Sequence, residues 1–276
     1  QNKYHMWINM NISFTYFPEF KGLEKHVDLL EFGGFPLDKN DLKLKSRWSF
    51  HFRRDLNGER LHLLLPEKVK ESVEYFKKAD LRPEIVSFHL GYSAENIGKV
   101  KGYDAHNYAI SEVWSKKEVL NTFTESFRII TENITDVPLA IENMDYNKGG
   151  AYEYVCEPEF IKDMLAKNPN IYLLLDLTHA QISAHKLLTK YEESERTEKY
   201  INSLPLDRII EIHLSSPDEK YGDMHRPATD REIYILRSIK EKMPNLKLIN
   251  LEYRSDNLDA ARMIPETVKT LRKIFK

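Results

Sequence analysis

Ile171-Tyr-Leu-Leu-Leu-Asp-Leu-Thr-His179 is the stretch on which the reading of this chain turns. Its leading apolar run, with one β-branched and one aromatic residue, predicts a strand buried on both faces. The run ends in a carboxylate, Asp176, and an imidazole follows at His179. In parallel α/β folds, reactive groups gather at the carboxyl ends of strands, where the loops leave a rigid floor. If other strands of this chain end the same way, the polar ends share one purpose.

Working outward, Ile8 to Tyr16 predicts a first strand and Val27-Asp-Leu-Leu-Glu-Phe32 a second, stopped by Gly33-Gly34 and Pro36, with only a short helix between them. Trp48-Ser-Phe-His-Phe52 alternates as a third. Leu61 to Ala79 has helical spacing with Pro66 in its first turn, and Ile85-Val-Ser-Phe-His-Leu90 follows as the fourth strand. The polar, aromatic stretch Gly91 to Val113 is too long for a simple connector and is expected to be an active-site loop. Lys117 to Asn133 reads as a helix and Pro138-Leu-Ala-Ile-Glu142 as the fifth strand, after which Glu157-Pro158 opens a helix that Asn168-Pro169 closes. The stretch quoted first is the sixth strand. A charged helix over Glu192 to Asn202 leads into the seventh, Arg208-Ile-Ile-Glu-Ile-His-Leu214. A helix over Arg231 to Lys242, a strand over Leu246 to Tyr253 and a helix over Leu258 to Ile274 complete the alternation.

Strict alternation, with no Gly-rich turn after the first strand, favours an α/β fold closed as a parallel (β/α)8 TIM barrel over an open doubly wound sheet. At 276 residues and 41% hydrophobic, the chain has the size of one such barrel. Residues 1–276 are therefore read as a single domain, with residues 1–7 expected to be partly an expression remnant or disordered. A net charge of −2 leaves no bulk attraction to nucleic acid or anionic membrane. The single cysteine, Cys156, excludes an internal disulfide framework and thiolate-rich metal sites, and it suits a reducing cytoplasm. No apolar run reaches the length of a membrane span, and Gln1 to Met10 lacks a targeting pattern.

The other strands do end in polar groups. His51, His89, Glu142, Asp176 with His179, His213 and Glu252 stand at or just past predicted strand ends, and Asp223-Met-His225 lies in the loop after the seventh strand. A closed barrel would bring all of them to one mouth. Several carboxylates beside several imidazoles, with few lysines at the strand ends, lack an obvious charge partner, and divalent cations would supply it. Nitrogen and oxygen donors without thiolate suit zinc, iron or manganese, and this many donors fit about two to three ions. Glu142, central in the ligand order, is the expected bridging carboxylate; Glu142, His179 and Glu252 form the expected catalytic set.

Each residue also has a bland reading. A lone buried histidine usually satisfies a backbone partner, Glu142 or Glu252 could sit in a structural ion pair, and Asp176 could cap the following helix. That reading has to be invoked separately at every strand from the third to the eighth, which is why a shared metal site is preferred. Tyr103 and His106 could line the mouth, but a solvated loop is the preferred reading of both. Arg254 could hold a substrate carboxylate or phosphate, or pair with Glu252.

The ligand order His51, His89, Glu142, Asp176-x-x-His179, His213, Asp223-x-His225, Glu252 resembles that of the endonuclease IV and xylose-isomerase-like barrel superfamily. Between the ligands, the chain is more similar to the multinuclear non-haem iron-dependent oxidative enzymes that modify ribosomal peptides. The segments that carry this likeness are Val27-Asp-Leu-Leu-Glu31, Ile85-Val-Ser-Phe-His-Leu90, Glu157-Pro-Glu-Phe160, Leu173 to Ala184, Leu204 to Leu214 and Leu251 to Asn257. Two positions depart: His179 stands where that branch commonly has Asn, and Phe88 where Asp is common. The resemblance implies about two to three ions, iron favoured and zinc or manganese open, which activate dioxygen to remodel a peptide side chain, often cysteine. It further implies a partner protein that presents the precursor peptide. Zinc-dependent phosphodiester hydrolysis of abasic DNA and sugar or sugar-phosphate isomerisation are the alternatives; the neutral charge disfavours nucleic acid.

Overall fold

The computed structural model describes residues 10–276 except 35, 36, 38, 39, 100–106, 147–150, 219, 221 and 258. The barrel strands are β1 (Asn11–Phe14), β2 (Leu30–Gly33), β3 (Trp48–Phe52), β4 (Val86–His89), β7 (Leu139–Glu142), β8 (Ile171–Asp176), β9 (Ile209–Leu214) and β10 (Leu248–Leu251). They pair in parallel in the order β1-β10-β9-β8-β7-β4-β3-β2. The ring closes where Thr15 bridges Glu31 in parallel and Tyr16 N donates to Glu31 O at 2.8 Å. Closure removes the sheet edges, and the eight-strand parallel barrel expected from the alternation is present.

The connections are less regular than the expected alternation. Between β1 and β2 the chain makes only 3-10 turns at Pro18–Phe20 and Glu24–His26, because the positive φ of Gly22 (95°) breaks the helical path between them. A 3-10 turn at Asp41–Lys43 is the helical part of the next connection. The remaining helices are α1 (Pro66–Lys78), α2 (Lys116–Asn133), α3 (Pro158–Lys167), α4 (Leu177–Leu187), α5 (Glu193–Asn202), α6 (Asp230–Ile239) and α7 (Ala260–Ile274). Both α4 and α5 lie between β8 and β9. The Gly91 to Val113 loop carries an antiparallel hairpin, β5 (Ile97–Lys99) and β6 (Asn107–Ala109). Tyr103 and His106 lie outside the described residues, as do Pro36 and the start of the expected first strand. Among the described residues no helix is long and apolar enough to cross a membrane.

Side chains alternate across each strand, so one parity packs under the helices and the other fills the barrel. On β3, Trp48, Phe50 and Phe52 take the outer parity. Phe52 is fully buried, stacks on Phe88 with ring centroids 4.6 Å apart, and meets Phe50 edge-on at 4.6 Å. Phe88 therefore belongs to the helix-facing layer. The inner parity reads in layers. Leu29, Ile85, Ala140, Leu174 and Leu248 form an apolar floor, which Ile210 joins from the other parity of β9 at the register shift opposite Leu173 and Leu174. Above them the interior turns polar: Ser13 Oγ donates to Asn250 Oδ1 at 2.8 Å, and Ser87 Oγ lies 2.9 Å from His51 Nδ1. The strand-end histidines and carboxylates form the top layer.

Phe52→Ala should cost about 3–5 kcal/mol, because it opens a cavity between aromatic rings that cannot collapse onto one another. The shift in urea midpoint of metal-free protein measures this, and a cost under about 1 kcal/mol would place Phe52 outside the packed layer.

Candidate metal centre

The nine side chains named as donors all reach the carboxyl-terminal mouth of the barrel. His51 lies near the end of β3; His89, Glu142 and Asp176 are the last residues of β4, β7 and β8. His213 is the penultimate residue of β9, and Glu252 follows β10 directly. Parallel register sets His89 beside Glu142 and Asp176 beside His213. His179 sits in the first turn of α4, where its own N–H donates to Asp176 Oδ1 at 2.6 Å. Asp176 is thus a helix cap as well as a candidate ligand. His225 arrives from the loop after β9 with a φ of 42°, a conformation rare for a side-chain-bearing residue.

Glu142, 1% exposed, is the hub. Its Oε2 lies 3.1 Å from His51 Nε2 and 3.2 Å from His89 Nε2. Its Oε1 lies 3.3 Å from His179 Nδ1 and 3.7 Å from His213 Nδ1. The donors sort into three groups around this carboxylate. His51, His89 and Glu142 form one, and Glu142, Asp176, His213 and Glu252 form another, each with donor atoms within 4.8 Å of one another. The third gathers on Asp223, whose Oδ2 is 3.3 Å from His225 Nε2 and 3.5 Å from His179 Nε2.

Hydrogen bonds on the far side of each ring aim these imidazoles. His51 Nδ1 meets Ser87 Oγ at 2.9 Å, which leaves Nε2 for the site. His179 Nδ1 donates to the Asn143 carbonyl at 2.9 Å, turning Nε2 towards Asp223. His213 Nε2 donates to Glu31 Oε2 at 2.8 Å, so Nδ1 faces Glu142 and Glu252. Such outer partners fix the tautomer and orientation of metal-binding histidines. The chemistry of the site fits cations for a second reason. Asp176 Oδ2 and Asp223 Oδ1 are buried without a hydrogen bond, and His51 Nε2, Glu142 Oε2, His213 Nδ1 and Glu252 Oε2 are buried facing only other donors of the site. Buried polar atoms almost always have partners, and a bound cation is the partner that nitrogen and carboxylate donors share.

One expectation needs correction. The carboxylates do not lack a protein cation: Arg53, just past β3, pairs with Glu252 at 2.5 Å and with Glu31 at 3.3 Å. A Cβ at Gly33 would come within 2.9 Å of Arg53 Nε, so this glycine makes room for the guanidinium as well as ending the strand. Arg254, named as a substrate ligand or a partner of Glu252, instead pairs with Asp256 at 2.9 Å and is not among the residues lining the cavity. Glu31 and Glu211 were missed as site residues. Glu31 is fully buried, accepts from Thr15 Oγ1 at 2.8 Å and orients His213. Glu211 shares the inner parity of His213, and neither of its oxygens has a hydrogen bond. An acidic residue inside an otherwise apolar strand was the available signal for both.

Electrostatics divides the donors. Burial pushes His89 down to about 4, which keeps its imidazole neutral. Burial raises Asp176 to about 7 and Glu211 to about 8, favouring their neutral forms. Burial also acts against charge on Glu142 and Glu252, but the imidazoles around Glu142, and Arg53 with His213 around Glu252, hold both carboxyls well below their usual range. Against the same desolvation, Asp223 and Glu252 lift His225 to about 9, Asp176 and Asp223 lift His179, and Glu31 and Glu252 lift His213. Protons on these rings supply the positive charge that a metal would otherwise bring.

Above the donors opens a cavity of about 200 Å³, lined by Arg53, Arg54, Arg60, His89, Glu142, Met144, Asp145, Tyr152, His179, Asp223, His225 and Glu252. A wider surface groove of about 1110 Å³ at the N-terminal end of α6 contains none of the nine donors.

Metal uptake should release protons, because metal must displace them from His179, His213, His225 and Asp176. Affinity should therefore rise from about pH 6 towards about pH 9 and fall in acid; titration in weakly buffered solution measures the protons released. Uptake that releases none would contradict these protonation states. Glu142→Gln, which removes the shared carboxylate, should weaken binding of at least two ions by roughly 10–100-fold, read by elemental analysis after dialysis. Unchanged metal content would remove Glu142 from the centre.

Residues 66–275 match the family described as RiPP precursor modification enzyme MbnB/TglH/ChrH. No match was found among curated proteins. Similar solved structures include mannonate dehydratase from Streptococcus suis serotype2, with TM-score 0.59, 11% identity, and coverage of 97% of this chain and 93% of that one. D-psicose 3-epimerase aligns with TM-score 0.54 at 13% identity over 96% and 98% of the two chains. A xylose isomerase domain protein from Planctomyces limnophilus aligns with TM-score 0.55 at 11% identity over 96% of each. At such identities these likenesses speak for the barrel and leave the chemistry to the site. Because the family match spans most of the sequence, the chain belongs to the RiPP precursor modification enzyme MbnB/TglH/ChrH family.

Proposed function

We propose that this protein oxidatively modifies a cysteine side chain of a ribosomally made precursor peptide, using dioxygen and about two to three iron ions held by His51, His89, Glu142, Asp176, His179, His213, Asp223, His225 and Glu252. The observation that carries this reading is the division of the donors into groups that share Glu142, in a chain of a precursor-modifying family. Iron bound there would supply redox chemistry with dioxygen and a coordination position for a thiolate. Zinc or manganese would fit the same nitrogen and oxygen donors.

The protein's own part is geometric and electrostatic. Glu142 Oε2 faces His51 and His89 and its Oε1 faces His179 and His213, so the one carboxylate would help to hold ions on both sides. Ser87, Asn143 and Glu31 hold His51, His179 and His213 in single ring orientations, so little rearrangement is needed when substrate arrives. Arg53 keeps Glu252 ionised and turned inward. The cavity, about 200 Å³, has room for one amino-acid side chain. Asp145 lines the same cavity with its carboxyl shifted upward by burial, so it holds a proton at its oxygen more readily than a solvated aspartate. A reducing cytoplasm would keep a thiol substrate reduced, and a separate protein that presents the precursor would compensate for the small cavity.

Protein purified without added metal or chelator should carry about two to three irons per chain, with visible absorption that bleaches on reduction. With a cysteine-containing precursor peptide encoded nearby, it should produce a mass change in air and none under argon. Tight zinc occupancy, together with no oxygen-dependent change in any cysteine peptide, would sink the proposal and direct attention to hydrolysis.

A further inference from the structure

The chain from Arg53 to Arg60 leaves the end of β3, reverses and returns, with Arg54 and Arg60 forming an antiparallel bridge. Asp55 builds the reversal: its Oδ1 accepts from Asn57 N and Glu59 N, each at 2.9 Å, and its own N–H donates to Glu59 O at 2.7 Å. Gly58 supplies the positive φ of 78°. This single turn lines one wall of the cavity with Arg53, Arg54 and Arg60, beside His89, Glu142 and Glu252.

The three guanidinium groups are not equivalent. Arg53 is committed to Glu31 and Glu252. Arg54 is exposed and donates to Gly58 O at 2.7 Å. Arg60 is half-buried, donates one hydrogen bond to Tyr92 Oη at 2.8 Å, and among the described residues makes no ion pair. Its acceptor is rigidly placed, because Tyr92 is buried between Tyr152, at 4.9 Å between ring centroids, and His62, at 5.2 Å. A guanidinium is a planar fork of five donors that matches a carboxylate in two parallel hydrogen bonds. Arg60 keeps most of that fork free at the edge of a cavity whose floor holds the candidate metal ligands.

We propose that Arg60, assisted by Arg54, is a specificity-determining subsite that binds a substrate carboxylate next to the group reacting at the metal centre. The inference rests on the peptide reading above and adds a demand to it: the residue modified carries, or directly adjoins, a carboxylate. That carboxylate is either the C-terminus of the peptide or a neighbouring Asp or Glu side chain.

The test is calorimetric titration of the metal-loaded protein with N-acetyl-Gly-Gly-Cys as free acid and as amide, the same pair with Ser for Cys, and N-acetyl-Gly-Asp-Cys amide. The free acids should bind at least about tenfold more tightly than the amides, a difference of about 1.4 kcal/mol, and Arg60→Gln should erase that preference. Tight binding of the Asp peptide would identify a side-chain carboxylate as the source, and tight binding of the free acids alone would identify the C-terminus. Equal affinity for the acid, the amide and the Asp peptide, a carboxylate preference that survives Arg60→Gln, or no binding of any peptide would overturn the subsite. Should Arg60→Gln fail to fold, Tyr92→Phe, which removes the acceptor that fixes the guanidinium, must reduce the acid preference. The two readings separate cleanly. An Arg60-dependent acid preference with no gain from Cys over Ser keeps the subsite and removes the thiol substrate. A gain from Cys without acid preference does the reverse.

Discussion

Putting the Glu142 carboxylate into the top of a closed barrel is the constraint on which the rest of this structure depends. Removing one carboxylate from water costs several kcal/mol unless positive charge or hydrogen-bond donors replace the solvent. Glu142 is 1% exposed, and imidazoles approach it from β3, β4, β9 and α4. Once that carboxylate is inside, each surrounding histidine needs a defined ring orientation, and each orientation needs an acceptor or donor behind it. Ser87 and Glu31 of the inner parity, with the main-chain carbonyl of Asn143, meet that need. The interior is therefore apolar only at its floor.

Arg53 shows how the same constraint shapes the backbone. A guanidinium placed between Glu31 and Glu252 offsets part of the negative charge without occupying the positions around Glu142. It fits because residue 33 has no side chain. Segments that look like ordinary punctuation, a diglycine after β2 and an arginine pair after β3, are tied to the electrostatics of the mouth. The sugar-converting enzymes that share the barrel at 11–13% identity need not share this arrangement. A barrel mouth is a platform, and the donors standing on it decide what reaction it supports.

Much of the architecture was legible because alternation along a strand is a local property. Trp48-Ser-Phe-His-Phe52 coincides with an observed strand because period-two patterning sorts helix-facing from barrel-facing residues within five positions, and Ile171 to Asp176 coincides with another because an unbroken apolar run marks a strand buried on both faces. The same patterning accounts for Phe88, which differs from the resembling branch at a position of the helix-facing layer, stacked on Phe52. Less was legible in the connections. Helix propensity does not reveal that the positive φ of Gly22 leaves room only for 3-10 turns, or that α4 and α5 share one crossover.

For this protein, residue order alone settled which side chains stand at strand ends, because chain direction and side-chain parity are carried by neighbouring residues. Their grouping was decided only by closure and register. Glu31 orients His213 across 182 positions of sequence, and Arg53 rather than Arg254 reaches Glu252. Parallel strands are joined by long crossovers, so no local pattern records which ends meet. That information exists only once the eight strands have closed and set their stagger.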